Sequence, residues 1–481
     1  MTAVEIALYA LVLGAAALVV WRRPAVSLYL FVVGLALHNA VMAALYAAGV
    51  RGSTLTAITA WKEILLAVAL LRVVVDCVRV RALPFRARAV DWLALAFAAL
   101  CVLYALIPQS VLGGEAGHRA VGLALRHDVV PVGAYFLGRS LRLDRCQWMR
   151  LAWTLLGTAA FVAALGLVDV YTVSIGWWRT NGVVDYFRKH LGYDYHGTGG
   201  LPENFIYNVG SDKPFLRRLV STFLSPLASS YLFVVALLGT AALLRGRRAV
   251  AGIALSVVVA AGLLWTFSRS ALLAVALGLV VLAAIRRRPH ELAAAVAVVA
   301  VAFAWAHVFP SIAPTGTFTK SDLVYQHKRA QGQSGVSNEA ASANESSLRE
   351  HWKSLKEGIR TDVHHPQGYG LGNVGQTASR TNTPLKAGES NYTELGAELG
   401  LFGALLWIAW NLALLWAVLS GARVWRWAAA IGISFAAILA LAVQTDVIGD
   451  PWAAYCVWAL AGAVAFRTSP EEPLVEPLRA S

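Results

Sequence analysis

Apolar runs of about 20 residues recur along almost the whole 481-residue chain. Each is long enough to cross a bilayer as a helix. The composition agrees, with 58% hydrophobic residues, 14% charged residues and a mean hydropathy of +0.61. An ordinary soluble domain carries about 25% charged residues, so a water-soluble globular enzyme is excluded. Disorder is excluded too, because it needs low hydrophobicity and high charge. The chain is expected to be an all-α polytopic membrane protein of about 12–13 transmembrane helices with two long extracytoplasmic loops. Spans are expected near residues 3–21, 25–48, 54–76, 90–107, 119–140, 149–168, 219–244, 249–267, 269–285, 291–309, 392–419, 427–446 and 451–466. The first run, Val4 to Trp21, lacks a basic start and a small-residue cleavage site, so it reads as a retained span.

The formal charge is +14. Membrane proteins concentrate Lys and Arg in cytoplasmic loops, which accounts for most of that excess without a nucleic-acid partner. The basic clusters are Arg22-Arg23, Arg79 to Arg88, Arg142 to Arg150, Arg245 to Arg248, Arg286 to Arg288, and Arg423 to Arg426. They fall at alternate ends of successive spans, so one orientation places them all inside. The expected division is 1–168 (N-terminal spans), 169–218 (first outer loop), 219–309 (central spans), 310–391 (second outer loop), 392–466 (C-terminal spans) and 467–481 (cytoplasmic tail). Loops that long are usually functional or carry structure of their own, so function is expected on the outer face. The 17 Trp suit interfacial belts. Cys77, Cys101, Cys146 and Cys456 lie outside the long polar loops, so no disulfide is expected and no zinc spacing appears.

The second loop contains a readable helix. Ser347 and Glu350 have capping-box spacing. Leu348, Trp352, Leu355 and Ile359 then form an apolar stripe, with Arg349, Lys353, Lys356 and Arg360 as a basic stripe beside it. Such a helix can lie on the membrane or pack on the bundle while showing cations to a groove.

Gly370 to Gly375 matches the dinucleotide fingerprint by letters, but a real one follows a strand and opens a helix in a βαβ unit. Here the glycines read as a tight loop after His364-His365-Pro366. No histidine pattern supports a metal site, and no Gly-x-Ser-x-Gly turn supports a Ser-His-Asp triad. Charges at membrane depth carry more weight, because they are costly there. The set is Lys62, Glu63, Arg126, Asp128, Arg269, Glu394, Glu398 and Asp446, with Arg217-Arg218 opening the seventh span from outside. Arginines converging on the outer leaflet suit a bidentate grip on phosphate oxygens. They point to group transfer from a lipid-linked diphosphate donor.

At these residues the chain resembles the bacterial O-antigen ligase and O-antigen polymerase superfamily. The matching stretches are Leu125-Arg126 leading to Tyr135 and Gly138-Arg139, then Arg218 to Phe223 with Ser225-Pro226, and Thr266 to Arg269. They continue with Leu348-Arg349 and Trp352, His365-Pro366, Gly368 to Gly372, Gly388-Glu389-Ser390 with Tyr392, and Glu398 to Gly403. The resemblance implies a fold related to the C-type glycosyltransferases. It implies a metal-independent, cofactor-free, inverting transfer at the outer face of a bacterial cytoplasmic membrane. The implied donor is an undecaprenyl-diphosphate-linked glycan, and the acceptor is a glycan or glycolipid. Many family members carry His-Asn or His-Ser where this chain has Glu389-Ser390. Glu389 is therefore the expected proton acceptor, since a carboxylate is already a base at neutral pH; a helix cap is its structural alternative. Arg126, Arg218, Arg269 and Arg349 are the expected diphosphate ligands, with Arg217, Lys62, His365 and Tyr392 as further substrate contacts. Trp177, Trp178, Tyr193, Tyr195 and Trp352 are candidates to stack on sugars or to fill a loop core. A transporter or flippase of lipid-linked saccharides is the alternative, with Lys62 and Glu63 lining a path; a scaffold with the loops as docking surface is a third reading.

Overall fold

The structure is a computed structural model that describes residues 3–210, 213–244, 249–330, 342 and 345–469. The N-terminal part consists of α1 (Ala3–Arg22), α2 (Val26–Ala47), α3 (Gly52–Thr59), α4 (Trp61–Val80), α5 (Ala89–Leu106), α6 (Gln109–Leu112), α7 (His118–Ser140) and α8 (Arg145–Thr172). Short helices α9 (Ile175–Thr180) and α10 (Val183–Asp185) follow, then α11 (Pro226–Leu243), α12 (Ala249–Trp265), α13 (Arg269–Arg286) and α14 (Pro289–Ile312). The second long connection holds α15 (Lys320–Ala330), α16 (Ser346–His364) and α17 (Gly375–Thr381). The chain closes with α18 (Asn391–Ser420), α19 (Arg426–Leu441) and α20 (Trp458–Val464). The protein is an all-α polytopic membrane protein. Among the described residues, seven helices are long and apolar enough to span a membrane: α2, α5, α8, α11, α13, α14 and α18. Shorter apolar helices lie at Ile6–Arg22, Ala249–Trp265, Arg426–Leu441 and Ala453–Val464. The remaining two expected spans correspond to α4 and α7, which carry the charges used below.

Several boundaries differ from the hydropathy reading, each for a local reason. The third expected span is two helices, because Lys62 Nζ donates to the Thr59 carbonyl at 2.8 Å and closes α3. The seventh starts at Pro226 rather than residue 219. Ser221 and Leu224 take positive φ, and Ser225 caps the helix by accepting from the Ala228 N–H. The twelfth ends at Leu441, and the last begins as a π-helical turn, Ala453–Val457. Hydrophobicity is continuous across all these points, so it does not report them.

Small residues bring the bundle together. A Cβ at Gly138 of α7 would overlap the Ala459 carbonyl of α20, and one at Gly462 would overlap the Tyr135 carbonyl. Backbones that close are how membrane helices gain contact where lipid gives no hydrophobic drive. Nearby, Asp91 of α5 accepts from Tyr135 Oη at 2.6 Å and Arg139 Nε at 3.0 Å, all buried. Trp407, Trp410 and Trp458 fill the adjoining core, and Trp458 Nε1 donates to Asn411 Oδ1 at 2.9 Å.

The two long connections interlock at one end of the bundle. Strands β1 (Ile206–Tyr207), β2 (Phe215–Arg217) and β3 (Thr315–Gly316) form an antiparallel sheet that joins them. Asp322 of α15 accepts from the Gly199 N–H at 2.9 Å and pairs with Arg179 at 3.3 Å. An apolar cluster including Tyr46, Leu55, Trp178, Tyr186, Phe205 and Phe215 seats the first connection on α2 and α3.

Replacing Asp91 by Ala leaves the Arg139 charge buried without its partner. We expect a loss of about 3–5 kcal/mol, read as a lower unfolding temperature in detergent. Asp91→Leu combined with Arg139→Met is expected to recover most of it.

Candidate active site

α4 and α7 carry polar side chains at the end of the bundle where the long connections meet. Lys62 and Glu63 of α4, Arg126 and His127 of α7, Tyr193 of the first connection, and Gln376 and Arg380 of α17 converge on one cavity with Asp446. Glu63 Oε1 lies 3.5 Å from Lys62 Nζ and 3.4 Å from Arg126 Nη1. Arg380 lies over the Tyr193 ring at 5.5 Å, and Tyr193 Oη donates to Gln376 Oε1 at 2.7 Å. The cavity holds about 70 Å³. Small-molecule sites usually run to about 300–1,000 Å³, so a glycan with its diphosphate requires this site to open.

His127 forms the wall. Its Nδ1 lies 2.7 Å from Asp128 Oδ1, and its Nε2 lies 3.1 Å from Asp446 Oδ1. Each ring nitrogen thus faces a carboxylate oxygen. Asp446 also accepts from Asn391 Nδ2 at 2.6 Å and from the Gly449 N–H at 2.8 Å. Asn391 in turn accepts from the Val447 N–H at 2.7 Å. The start of α18, the 442–450 loop and α7 are thereby fastened to one carboxylate. Among the described residues no group of three His, Cys, Asp or Glu has the geometry to hold a metal ion.

The glycine-rich stretch is a loop, not a nucleotide cradle. Gly368, Gly370 and Gly372 have φ of 72°, 88° and 85°. The Gly372 N–H donates to Glu398 Oε1 at 2.8 Å, and Asn373 Oδ1 accepts from Glu115 N–H at 2.7 Å. The loop seats against Gly400, where α18 kinks at φ 75°. His365 stacks on Tyr369 at 3.9 Å and contacts the Leu112 carbonyl at 3.0 Å, so it fastens the loop to α6. Tyr392 Oη donates to the Leu439 carbonyl at 3.0 Å. Neither His365 nor Tyr392 lines the cavity.

Glu389 sits two residues before Asn391. Two residues of chain span at most about 7 Å, so Glu389 lies near the start of α18, which Asn391 ties to the cavity residue Asp446; Glu389 itself does not line the cavity. Its side chain is 60% exposed, and Oε2 lies 2.6 Å from His351 Nδ1 of α16. The Glu389 N–H donates to Ser354 Oγ at 3.2 Å. α16 rests on α18 through Gly358, which meets Thr393, and Asp362, which meets Gly396. The N-cap of α16 is Glu345, whose carboxylate accepts from the Leu348 N–H at 2.9 Å. The expected Ser347–Glu350 box is therefore displaced by the residue that also pairs with Arg269 Nη2 at 2.9 Å. Leu348, Trp352 and Ile359 stay exposed along α16.

The expected arginines divide into separate groups. Arg126 and Lys62 line the cavity. Arg218 interacts with Arg269, Tyr207 and Glu345, and burial followed by the Arg269 charge pushes its pKa down to about 10. Its Nε donates to the Thr266 carbonyl at 2.8 Å. Arg349 lies exposed in the first turn of α16. Arg217 is buried, donates to the Val170 and Val173 carbonyls, and pairs with Asp169 at 3.7 Å. That pairing is structural. Trp178 is buried and donates to Asp169, whereas Trp177 and Trp352 are exposed.

Residues 254–408 match the family model described as O-Antigen ligase. That match spans 155 of the 481 residues and supports the resemblance to the O-antigen ligase and polymerase superfamily, and with it glycosyl transfer in polysaccharide assembly. The matched segment runs from α12 through the kink of α18, so it includes Arg269, Arg349 and Glu389, whereas Lys62, Arg126 and Arg218 lie before it. No curated protein matches the chain.

Some site residues escaped the sequence reading. His127 lies between two residues already singled out, Arg126 and Asp128, but a lone histidine in a span gave no signal. Arg380 sits in a short polar helix without periodicity. His351 was weighed only as a metal ligand. Asp362, which anchors α16, has its pKa pushed up to about 7 by burial. The unfolded carboxyl ionises near 4, so between about pH 4 and 7 the folded state binds more protons and stability falls as pH rises. Asp362→Asn is expected to raise the unfolding temperature at pH 8 and to have little effect at pH 4. Equal effects at both pH values would contradict the assignment.

Proposed function

We propose that the protein transfers a glycan from a polyprenyl-diphosphate carrier to an acceptor hydroxyl, without a metal, at the outer face of a bacterial cytoplasmic membrane. The observation that carries this reading is the convergence of Lys62, Arg126, His127 and Arg380 on one cavity. The diphosphate replaces Glu63 as the partner of buried Lys62 and of Arg126, so cations already in place stabilise the leaving group. The carrier lipid, undecaprenol in bacteria, lies between the helices beside α4 and α7. The acceptor approaches from the start of α18, where Glu389 and His351 form an acid–imidazole pair.

The chemistry there follows from that pair. Glu389 orients His351 or accepts the proton itself, and the acceptor oxygen attacks the anomeric carbon with inversion. The family histidine absent from the sequence beside Ser390 is supplied in space by α16. Arg269 acts as a positioning residue, because its pairing with Glu345 fixes the start of the helix that carries His351. Arg218 and Arg349 stand near that same start and form a second station for phosphate or glycan. A flippase uses midplane charges as a path; here Lys62 and Glu63 face a cavity that residues of both long connections help to line, which favours an enzyme. Polymerase and ligase differ only in the acceptor, a second lipid-linked glycan or a separate glycolipid.

The test uses the purified full chain with a polyprenyl-diphosphate-linked glycan. General-base contributions are typically 10²–10⁴-fold, so Glu389→Gln is expected to lower kcat by about 10²-fold or more with donor KM unchanged. Normal turnover would dismiss the role. Arg126→Lys keeps the charge and loses the bidentate fork; it is expected to raise donor KM. Arg269→Lys is expected to lower kcat without that rise, and the reverse pattern would move the diphosphate to the Arg218–Arg269 station.

A further inference from the structure

The opposite end of the bundle holds a second cavity. α13 starts at Arg269, beside Glu345, and ends at Arg286; α18 starts at Asn391 and ends at Ser420. Their far ends, with the starts of α14 and α19, enclose about 420 Å³. Arg286, Arg287, Arg288, Arg423 and Arg426 line it, with apolar contacts from Ile285.

Basic loops at membrane ends are ordinarily solvated and reflect orientation alone. This cluster differs because its cations from two separate connections line one cavity instead of splaying into water. Arg286 is accounted for locally: it pairs with Glu291 at 3.3 Å and donates to the Ala242 carbonyl at 2.6 Å. Among the described residues, no carboxylate pairs with Arg287, Arg288 or Arg423. Like charges gathered in a recess repel, and a phosphate matched by several guanidinium forks relieves that. Val424, between Arg423 and Trp425, is 74% exposed at the rim and offers a surface to acyl chains. The volume exceeds what one inorganic phosphate needs and falls in the range of bound small molecules. Basic pockets between membrane helices at this level suit phospholipid headgroups.

We propose that this cavity binds the phosphate-bearing headgroup of an anionic phospholipid from the leaflet opposite the candidate active site. The site is independent of the glycosyl-transfer reading and makes no use of its residues.

Native mass spectrometry of the detergent-solubilised full chain tests it, with cardiolipin, phosphatidylglycerol, phosphatidylcholine and soluble pyrophosphate as probes. The anionic lipids are expected to stay bound where phosphatidylcholine does not. Each cation near such a surface is worth roughly a fivefold factor in affinity. Arg287→Gln with Arg288→Gln and Arg423→Gln is thus expected to weaken anionic-lipid binding on the order of 100-fold. The matched neutralisation Arg79→Gln, Arg81→Gln and Arg86→Gln is expected to leave it unchanged. Should the first triple variant fail to fold, Arg423→Gln alone is expected to show about a fivefold loss. Equal weakening by both triple variants would mean general surface attraction and overturn the site. Binding of pyrophosphate but of no lipid would assign the cavity to a soluble anion and overturn the lipid source. The segment 470–481 contains Glu471, Glu472 and Glu476, and Arg467 packs against Gly421 beside the cavity. If anionic lipids bind only after truncation at Ser469, the chain's own acidic segment is the occupant and the proposal fails.

Discussion

Asp446 holds together the end of the bundle where the long connections meet. A carboxylate buried among helices is costly unless every lone pair is used, and this one takes hydrogen bonds from His127, Asn391 and Gly449. Those partners belong to α7, to the first residue of α18 and to the loop before α20. The cavity wall, the start of α18 and the packing of α7 on α20 therefore share one anchor. Moving any of these elements leaves a buried charge without a donor, which makes the geometry of the site an all-or-none property of the fold.

α16 is fixed by the same logic with weaker means. Its underside meets α18 through Gly358 and Asp362, and its start is tied by Glu345 to Arg269. Between those fastenings His351 is carried to Glu389. That juxtaposition joins residues nearly 40 positions apart in the sequence. A linear motif does not record it, because it arises only from how α16 packs on α18.

Charge is arranged at both ends of the bundle, in different ways. At the end where the long connections meet, cations and carboxylates interleave, and Glu63 pairs with both Lys62 and Arg126 in the cavity. At the opposite end Arg286 pairs with Glu291, and arginines from two separate connections line one cavity.

The sequence by itself determined the class of the molecule. Runs of apolar residues long enough to cross lipid leave the backbone no option but helices satisfied within themselves, and the alternation of basic clusters orients them. It also singled out Lys62 and Arg126, since charges near lipid are costly, and Glu389 through the family resemblance. The tertiary structure decided which of these residues meet. Hydropathy is a one-dimensional quantity and is blind to the break at Ala60, the extended stretch before Pro226 and the early end of α19, all set by caps and side-chain hydrogen bonds. The division of the arginines, with Arg126 at the cavity, Arg269 at the start of α16 and Arg217 spent on Asp169, depends on contacts between residues 48 to 76 positions apart. Those contacts exist only once the helices pack, because a charge finds its partner by distance in space and the chain order does not encode that distance.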